Sequence, residues 1–301
     1  MQHEGTLCQF EPENSWVILS PIEQSIKRKI EAVGTPLKDW DINIYRGVLT
    51  GCNEAFIIST EKRNEILANC KDDDEKRRTE ELIRPILRGR DIKRYGYDWA
   101  GLYLIATFPS RHYDIEQYPA VKNHLLSFGI ERLEQTGKIH VVNGEKIKAR
   151  KKTNNKWFET QDSISYWDDF SKPKIMYPNM TKYIPFYYDT KGFYQNDKSF
   201  MITGLHISFL TAFLNSSIFK FCFLNNFPEL QGGTRELRKI FFDKIPIIQV
   251  SDEMDERFAK LVIGMQNNLS NETAKDIDGI IFDLYGLTKE ERDAIGFIEI
   301  E

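Results

Sequence analysis

Apolar residues along this chain change period several times, and the changes mark out its elements. Trp16-Val17-Ile18-Leu19 is a short strand candidate. Ser20-Pro21-Ile22-Glu23 then reads as a helix start, with Ser20 as cap, Pro21 in the first turn and Glu23 completing a capping box. Ile22, Ile26, Ile30 and Val33 give that helix one apolar face, and Gly34 with Pro36 stops it. From Trp40 to Ile58 the pattern predicts two strands and a tight turn, and from Thr60 to Asn69 a short helix. Leu102 to Phe108 is a continuous apolar run ended by Pro109, the pattern of a strand covered on both faces. Tyr118 to Phe128 carries a helical stripe of Val121, Leu125, Leu126 and Phe128. Three aromatic-rich runs, Pro173 to Tyr177, Pro185 to Tyr188 and Phe200 to Thr203, are spaced as strands of one sheet. A buried helix is expected after Gly204, and Arg235 to Phe242 is expected to begin another. Beyond Ser251 the period is helical throughout: Phe258, Leu261, Val262, Met265 and Leu269, then Ile277, Ile280, Ile281 and Leu284, then a capping box at Thr288 to Glu291. Strands in the body and helices at the end make the expected class α+β: a mixed β-sheet body with flanking helices and a C-terminal helical hairpin.

With 301 residues, 41% hydrophobic and 13% aromatic, the chain can bury a sizeable core. Its four cysteines, Cys8, Cys52, Cys70 and Cys222, include no CxxC pair, which argues against a zinc ribbon or a disulfide scaffold and suits a reduced cytoplasmic setting. No secretion signal is read at Met1 to Gly5, and the apolar stretch Ile207 to Phe227 is interrupted by Asn215, Lys220, Asn225 and Asn226, so no membrane partner is expected. The net charge of −4 is unevenly placed. Residues 251–301 hold thirteen acids against five bases, a net of −8, so the first 250 residues carry +4.

That positive balance concentrates in two segments. Between Leu82 and Tyr95 the only acid is Asp91, against Arg84, Arg88, Arg90, Lys93 and Arg94, with Tyr95, Tyr97 and Trp99 close by. Lys146, Lys148, Arg150, Lys151, Lys152 and Lys156 fall within eleven residues that contain no acid, and Trp157-Phe158 follows. Cations backed by aromatics suit a phosphate backbone, whereas the balanced cluster Lys71 to Arg78 reads as a solvated face. Catalytic signatures are missing. The chain has no Pro-Pro pair, hence no (Asn/Asp/Ser)-Pro-Pro-(Tyr/Phe) loop for amino methylation, and no GxxxxGK, GxGxxG, GxSxG or HExxH. His3, His112, His124, His140 and His206 do not pair at metal-ligand spacing. Asp91-Ile92-Lys93 has the Asp-x-Lys form of a nuclease half-site, with Asp72, Asp73 and Asp74 upstream, but Asp189-Thr190-Lys191 matches equally well.

The opening Gly47-Val48, Thr50-Gly51, Asn53 and Ala55-Phe56, together with the closing Ile83-Arg84-Pro85-Ile86-Leu87-Arg88-Gly89-Arg90-Asp91-Ile92 and Arg94-Tyr95, resembles the C-terminal target-recognition domain of type IIG restriction-modification enzymes and Taq-type adenine DNA methyltransferases. Lys172 to Pro178, Phe213-Leu214-Asn215-Ser216, Gly232-Gly233-Thr234 and Ile245-Pro246-Ile247 occur in the order seen in such domains and, more loosely, in type I specificity subunits; Ile280 to Thr288 looks like the end of the parent polypeptides. The resemblance implies a module that grips duplex DNA opposite a catalytic methyltransferase domain, reads a short site through the major groove, and holds the duplex while an adenine is flipped out. The catalytic half of that pattern is not found here, so the chain is expected to be either a fragment cut at a domain boundary or a stand-alone specificity partner; neither methylation nor cleavage is expected of it, and S-adenosylmethionine and magnesium are expected only in the methyltransferase and endonuclease domains of a parent polypeptide. The implied division is a connector over 1–35, a recognition domain over 36–250 and a helical segment over 251–301. Arg84, Arg88, Arg90, Lys93, Arg94 and the Lys146 to Lys156 run are expected on phosphates, and Gln231, Gly232, Gly233, Thr234 and Arg235 near base edges. Two other classes stay open: a metal-dependent nuclease using Asp91 and Lys93, and a protein-interaction module built on the acidic tail.

Overall fold

In the computed structural model, which describes residues 19–300, a four-stranded antiparallel sheet forms a wall with a separate hydrophobic core on each side. Its strand order is Tyr187–Asp189, Lys174–Pro178, Ser199–Gly204 and Ile42–Arg46. Side chains alternate across a strand, and the two cores receive alternate residues. Ile175, Tyr177, Phe200, Ile202, Ile42 and Ile44 join the helical side. Met201 and Tyr45 join the opposite core, and Met176 and Tyr187 form a smaller cluster with Leu87, Ile92 and Phe193. This explains why the strands read as continuous apolar runs rather than as alternating ones.

Helices Ile207–Leu214 and Ser217–Phe223 pack on one face of the wall, joined by Asp252–Asn267, Asn271–Leu284 and the N-terminal helix Pro21–Val33. The capping box at Ser20 forms in both directions, Glu23 N donating to Ser20 Oγ and Ser20 N to Glu23 Oε2. Of the stripe expected on that helix, Ile26 and Ile30 are buried while Val33 is 48% exposed. Glu291, from the capping box at Thr288, accepts from Lys29 Nζ at 2.7 Å and Ser25 Oγ at 2.7 Å, which fastens the last helix, Lys289–Ile295, to the first. Carboxylates of the tail also cap helices of the body: Asp255 accepts from Phe209 N, and Asp278 from Ser217 N and Oγ. Those are amides at helix N-termini, which have no partner within their own helix.

On the other face lies a second sheet, in the order Tyr194–Gln195, Ile83–Leu87, Leu102–Ile105 and Ile57–Ser59, parallel only at its first pair. Helices Thr60–Ala68, Asp73–Leu82 and Pro119–Leu126 flank it. Lys71 to Arg78, expected as a solvated cluster, is largely the start of the Asp73–Leu82 helix, where Asp72 caps Glu75 N and Glu75 is buried against Ala120 N. Arg235 to Phe242 divides into strand Thr234–Glu236 and helix Lys239–Phe242. The class is α+β, as expected. Trp16 to Ile18 of the first strand candidate lie outside the described residues, as does His3.

The motif glycines mark backbone crossings. A Cβ at Gly47 would sit 2.0 Å from the Asn196 carbonyl oxygen, and one at Gly89 2.6 Å from that of Lys198. Val48 N donates to Gln195 O, Asn196 N to Leu87 O and Asn179 N to Lys198 O. The opening motif, the Arg-rich motif and the Lys172–Pro178 motif, far apart in sequence, thus meet on the single loop Asn196 to Ser199.

Candidate nucleic-acid interface

The first basic segment is mostly committed within the fold. Arg88 forms a double contact with Asp91, Nε to Oδ2 at 2.9 Å and Nη2 to Oδ1 at 2.8 Å, while Arg88 N donates to the same carboxylate. Asp91 is 4% exposed, so all of this closes a turn around Gly89. Arg94 reaches the other way, donating to the carbonyls of Glu299 and Asn215 in the helical layer. Arg84 lies 5.7 Å from the Tyr194 ring centroid. Arg90 and Lys93 are exposed, with Lys93 Nζ 3.7 Å from Asp98. The Asp-x-Lys patterns have structural roles. Asp91 is held by Arg88, and Asp189 accepts from Lys191 N, Phe193 N and the fully buried Lys174 Nζ. Among the described residues no group of three or more His, Cys, Asp or Glu could hold a metal ion.

The second basic segment behaves differently on its two sides. Ile139–Val142 and Glu145–Lys148 form a two-stranded antiparallel ribbon, turned by Asn143 (φ 50°) and Gly144 (φ 84°). Left-handed φ at both central positions is the demand of a type I′ turn, which Asn-Gly meets at least cost. This hairpin was not anticipated, although its Asn-Gly signal stands in the sequence between the β-branched run Ile139 to Val142 and the charged segment Glu145 to Lys148. Lys146, Lys148, Lys151, Lys152 and Lys156 are all exposed.

Arg150 is the exception and a correction: expected on phosphate, it is 4% exposed. Its guanidinium donates to four main-chain carbonyls: Nε to Leu133 (2.7 Å), Nη1 to Thr50 (2.8 Å) and Glu159 (2.8 Å), and Nη2 to Trp157 (2.6 Å). It also lies 5.0 Å from the Phe56 ring centroid. Burial pushes its pKa down to about 10, with the nearby Cys52 and Glu159 acting in the opposite direction. Beside it, buried Gln135 donates to the carbonyls of Lys156, Glu159 and Thr160 and accepts from Thr153 Oγ1. The Thr50-Gly51 and Ala55-Phe56 pieces of the opening motif therefore build a socket for the root of the ribbon. Gly51, at φ 76°, leaves room for Arg150 Cδ, which a Cβ would approach to 2.9 Å. A charge count cannot distinguish this arginine from its exposed neighbours, because the carbonyls that accept from it come from three separate stretches of the chain.

Gln231–Gly233 forms the tip of a smaller hairpin between Glu229–Leu230 and Thr234–Glu236. Gln231, Gly232 and Gly233 are exposed and Thr234 is half-buried. Arg235, expected near base edges, braces the hairpin's base instead, bonding Phe227 O at 2.9 Å, Asn225 Oδ1 at 3.0 Å and Glu229 Oε2 at 3.0 Å.

A family model described as the TaqI-like C-terminal specificity domain matches residues 84–247. The chain belongs to that family. The span matched by the specificity-domain model contains both basic segments and the Gln231–Gly233 tip; the socket residues Thr50 and Phe56 precede it, yet grip Arg150 inside it. Among solved structures, this specificity domain is similar to the type IIL restriction-modification enzyme MmeI in complex with DNA, with TM-score 0.55 and 11% identity over 87% of this chain and 35% of that one. It is also similar to the type IIG restriction endonuclease BpuSI, with TM-score 0.47 and 13% identity over 89% of this chain and 34% of that one. The specificity domain thus spans about a third of either enzyme, and at such identity the MmeI likeness shows a shared fold. No curated protein sequence matches the chain. No single helix among the described residues is long and apolar enough to cross a membrane.

Proposed function

We propose that this specificity domain recognises a short sequence in double-stranded DNA on behalf of a restriction-modification polypeptide whose other domains methylate adenine or cleave the duplex. The observation that carries the reading is the family match over residues 84–247, which spans the surface where Lys146, Lys148, Lys151, Lys152 and Lys156 stand exposed around one rooted ribbon. Where such lysines meet phosphate, as Lys151, Lys152 and Lys156 would beside the ribbon, they release counterions, which gives affinity without sequence preference. Arg90 and Lys93 add exposed cations from the other segment. In this reading S-adenosylmethionine and magnesium belong to the catalytic domains of the parent and are not bound by this chain, and the setting is the cytoplasm, where its DNA is found.

Selection from a randomised duplex pool, repeated across a salt series, tests the proposal. Retention that weakens with salt and enriches a short motif is the expected result; no retention at low salt would overturn it.

A further inference from the structure

The outward face of the ribbon is unlike a solvated surface. In register, Ile139 pairs with Lys148 and Val141 with Lys146, and directly paired residues share a face. That face therefore carries two β-branched aliphatic side chains edge to edge with two lysines. Ile139 is 64% exposed and Val141 68%. The other face is turned toward the body: His140, Val142 and Ile147 are half-buried, and His140 Nε2 lies 2.5 Å from Glu134 Oε1. A bare two-stranded ribbon is marginal by itself and its apolar edge invites aggregation. Here the root is fixed by Arg150 and Gln135, and the ribbon that leaves it as an arm presents an exposed apolar and cationic strip.

We infer that this strip, Ile139, Val141, Lys146 and Lys148, enters the major groove of duplex DNA and reads base edges, a role distinct from the phosphate contacts of Lys151, Lys152 and Lys156. The inference rests on the DNA-recognition reading above and says which element discriminates. Charge selects the occupant: Lys138, Lys146, Lys148, Lys151 and Lys152 are exposed on or beside the arm, and the one acid of the ribbon, Glu145, pairs with Val142 on the opposite face. Size agrees. Four-residue strands are about 13 Å long and lie about 4.8 Å apart, and a major groove about 12 Å wide admits a two-stranded ribbon. Chemistry agrees as well, since the groove floor offers thymine methyl groups to aliphatic side chains and guanine O6 and N7 to lysine. The Gln231–Gly233 tip offers less, because Arg235 is held at its base.

The test compares the full 301-residue chain with two variants in motif selection from a randomised duplex pool: I139S/V141S, and Q231A/T234A as the rival loop. Wild type is expected to enrich one motif. I139S/V141S is expected to keep its salt-dependent affinity for unrelated duplex while discrimination at one or more motif positions falls about 5- to 150-fold, the range of about 1–3 kcal/mol for a base contact. Q231A/T234A is expected to select the wild-type motif. As a second measurement, uracil for thymine in the selected site removes only the major-groove methyl group and should weaken wild type while leaving I139S/V141S nearly unaffected; 7-deazapurine for purine removes the N7 acceptor offered to Lys146 and Lys148 and should weaken both. Equal discrimination by wild type and I139S/V141S, or indifference of wild type to the base analogues, overturns the role of the arm while DNA recognition stands. Absence of duplex binding by wild type overturns both.

Discussion

Arg150 shows how one side chain can be charged, surrounded by exposed cations and still be structural. Its guanidinium donates to four carbonyls, of which only that of Glu159 also accepts from Gln135, and a lysine in its place offers a single compact ammonium that cannot reach them in a plane. Arg150→Lys should cost at least about 2 kcal/mol, since buried carbonyls left without donors are destabilising by about 1–3 kcal/mol each. Urea unfolding measures this, and a loss below about 0.5 kcal/mol would contradict the socket. By contrast, single substitutions of Lys146 or Lys148 to Ser should leave the urea midpoint unchanged, because those side chains are exposed. Residue patterns revealed the capping boxes, because their partners are three positions apart and the bonds are local. They revealed neither the place of Arg150 nor that of Lys174, whose partner Asp189 stands on the neighbouring strand.

Among elements, the tail helices hold by carboxylates as much as by their apolar stripes. Asp255 and Asp278 cap body helices, and Glu291 joins Lys29 and Ser25 to its own helix start. Burial alone would raise the Glu291 pKa, but hydrogen bonds from Lys29, Ser25 and Thr288 N outweigh it and hold the carboxyl down to about 2. An unfolded glutamate titrates near 4.3. The contribution of Glu291 is thus complete above that value and is lost as pH falls through the range from about 4.3 to about 2, an effect on the order of 2–3 kcal/mol. Glu291→Gln should therefore be less stable than wild type at pH 7, and the gap should narrow toward pH 2. A gap constant with pH would refute the coupling. The strands of the wall were legible as strands from their apolar runs; that each serves two cores was not, because a run covered on both faces has lost the alternation that tells the sides apart.

For the molecule as a whole, the wall makes the two sides mutually dependent. Ile26 and Ile30, the sheet residues Ile175, Tyr177 and Ile202, and Phe258, Val262, Met265, Ile277 and Ile281 belong to one core. Ending the chain at Val250 would strip the last five from it and leave Phe209 N and Ser217 N without their caps. Such a truncation should yield aggregated protein or a broad, non-cooperative thermal transition, read by light scattering and calorimetry; a soluble fragment with a sharp transition would show that the body folds without the tail. An acidic tail read by composition suggested a surface for partners, yet two of its aspartates face inward.

The ribbon has one further consequence. Its outward side chains touch little of the body, so almost any residue there is compatible with folding, whereas the socket beneath tolerates few. Preference for one DNA sequence over another could then drift, generation by generation, without passing through unfolded ancestors. An arm of ten residues between Ile139 and Lys148 could be exchanged among related proteins as a cassette, while the frame that holds it stays the same.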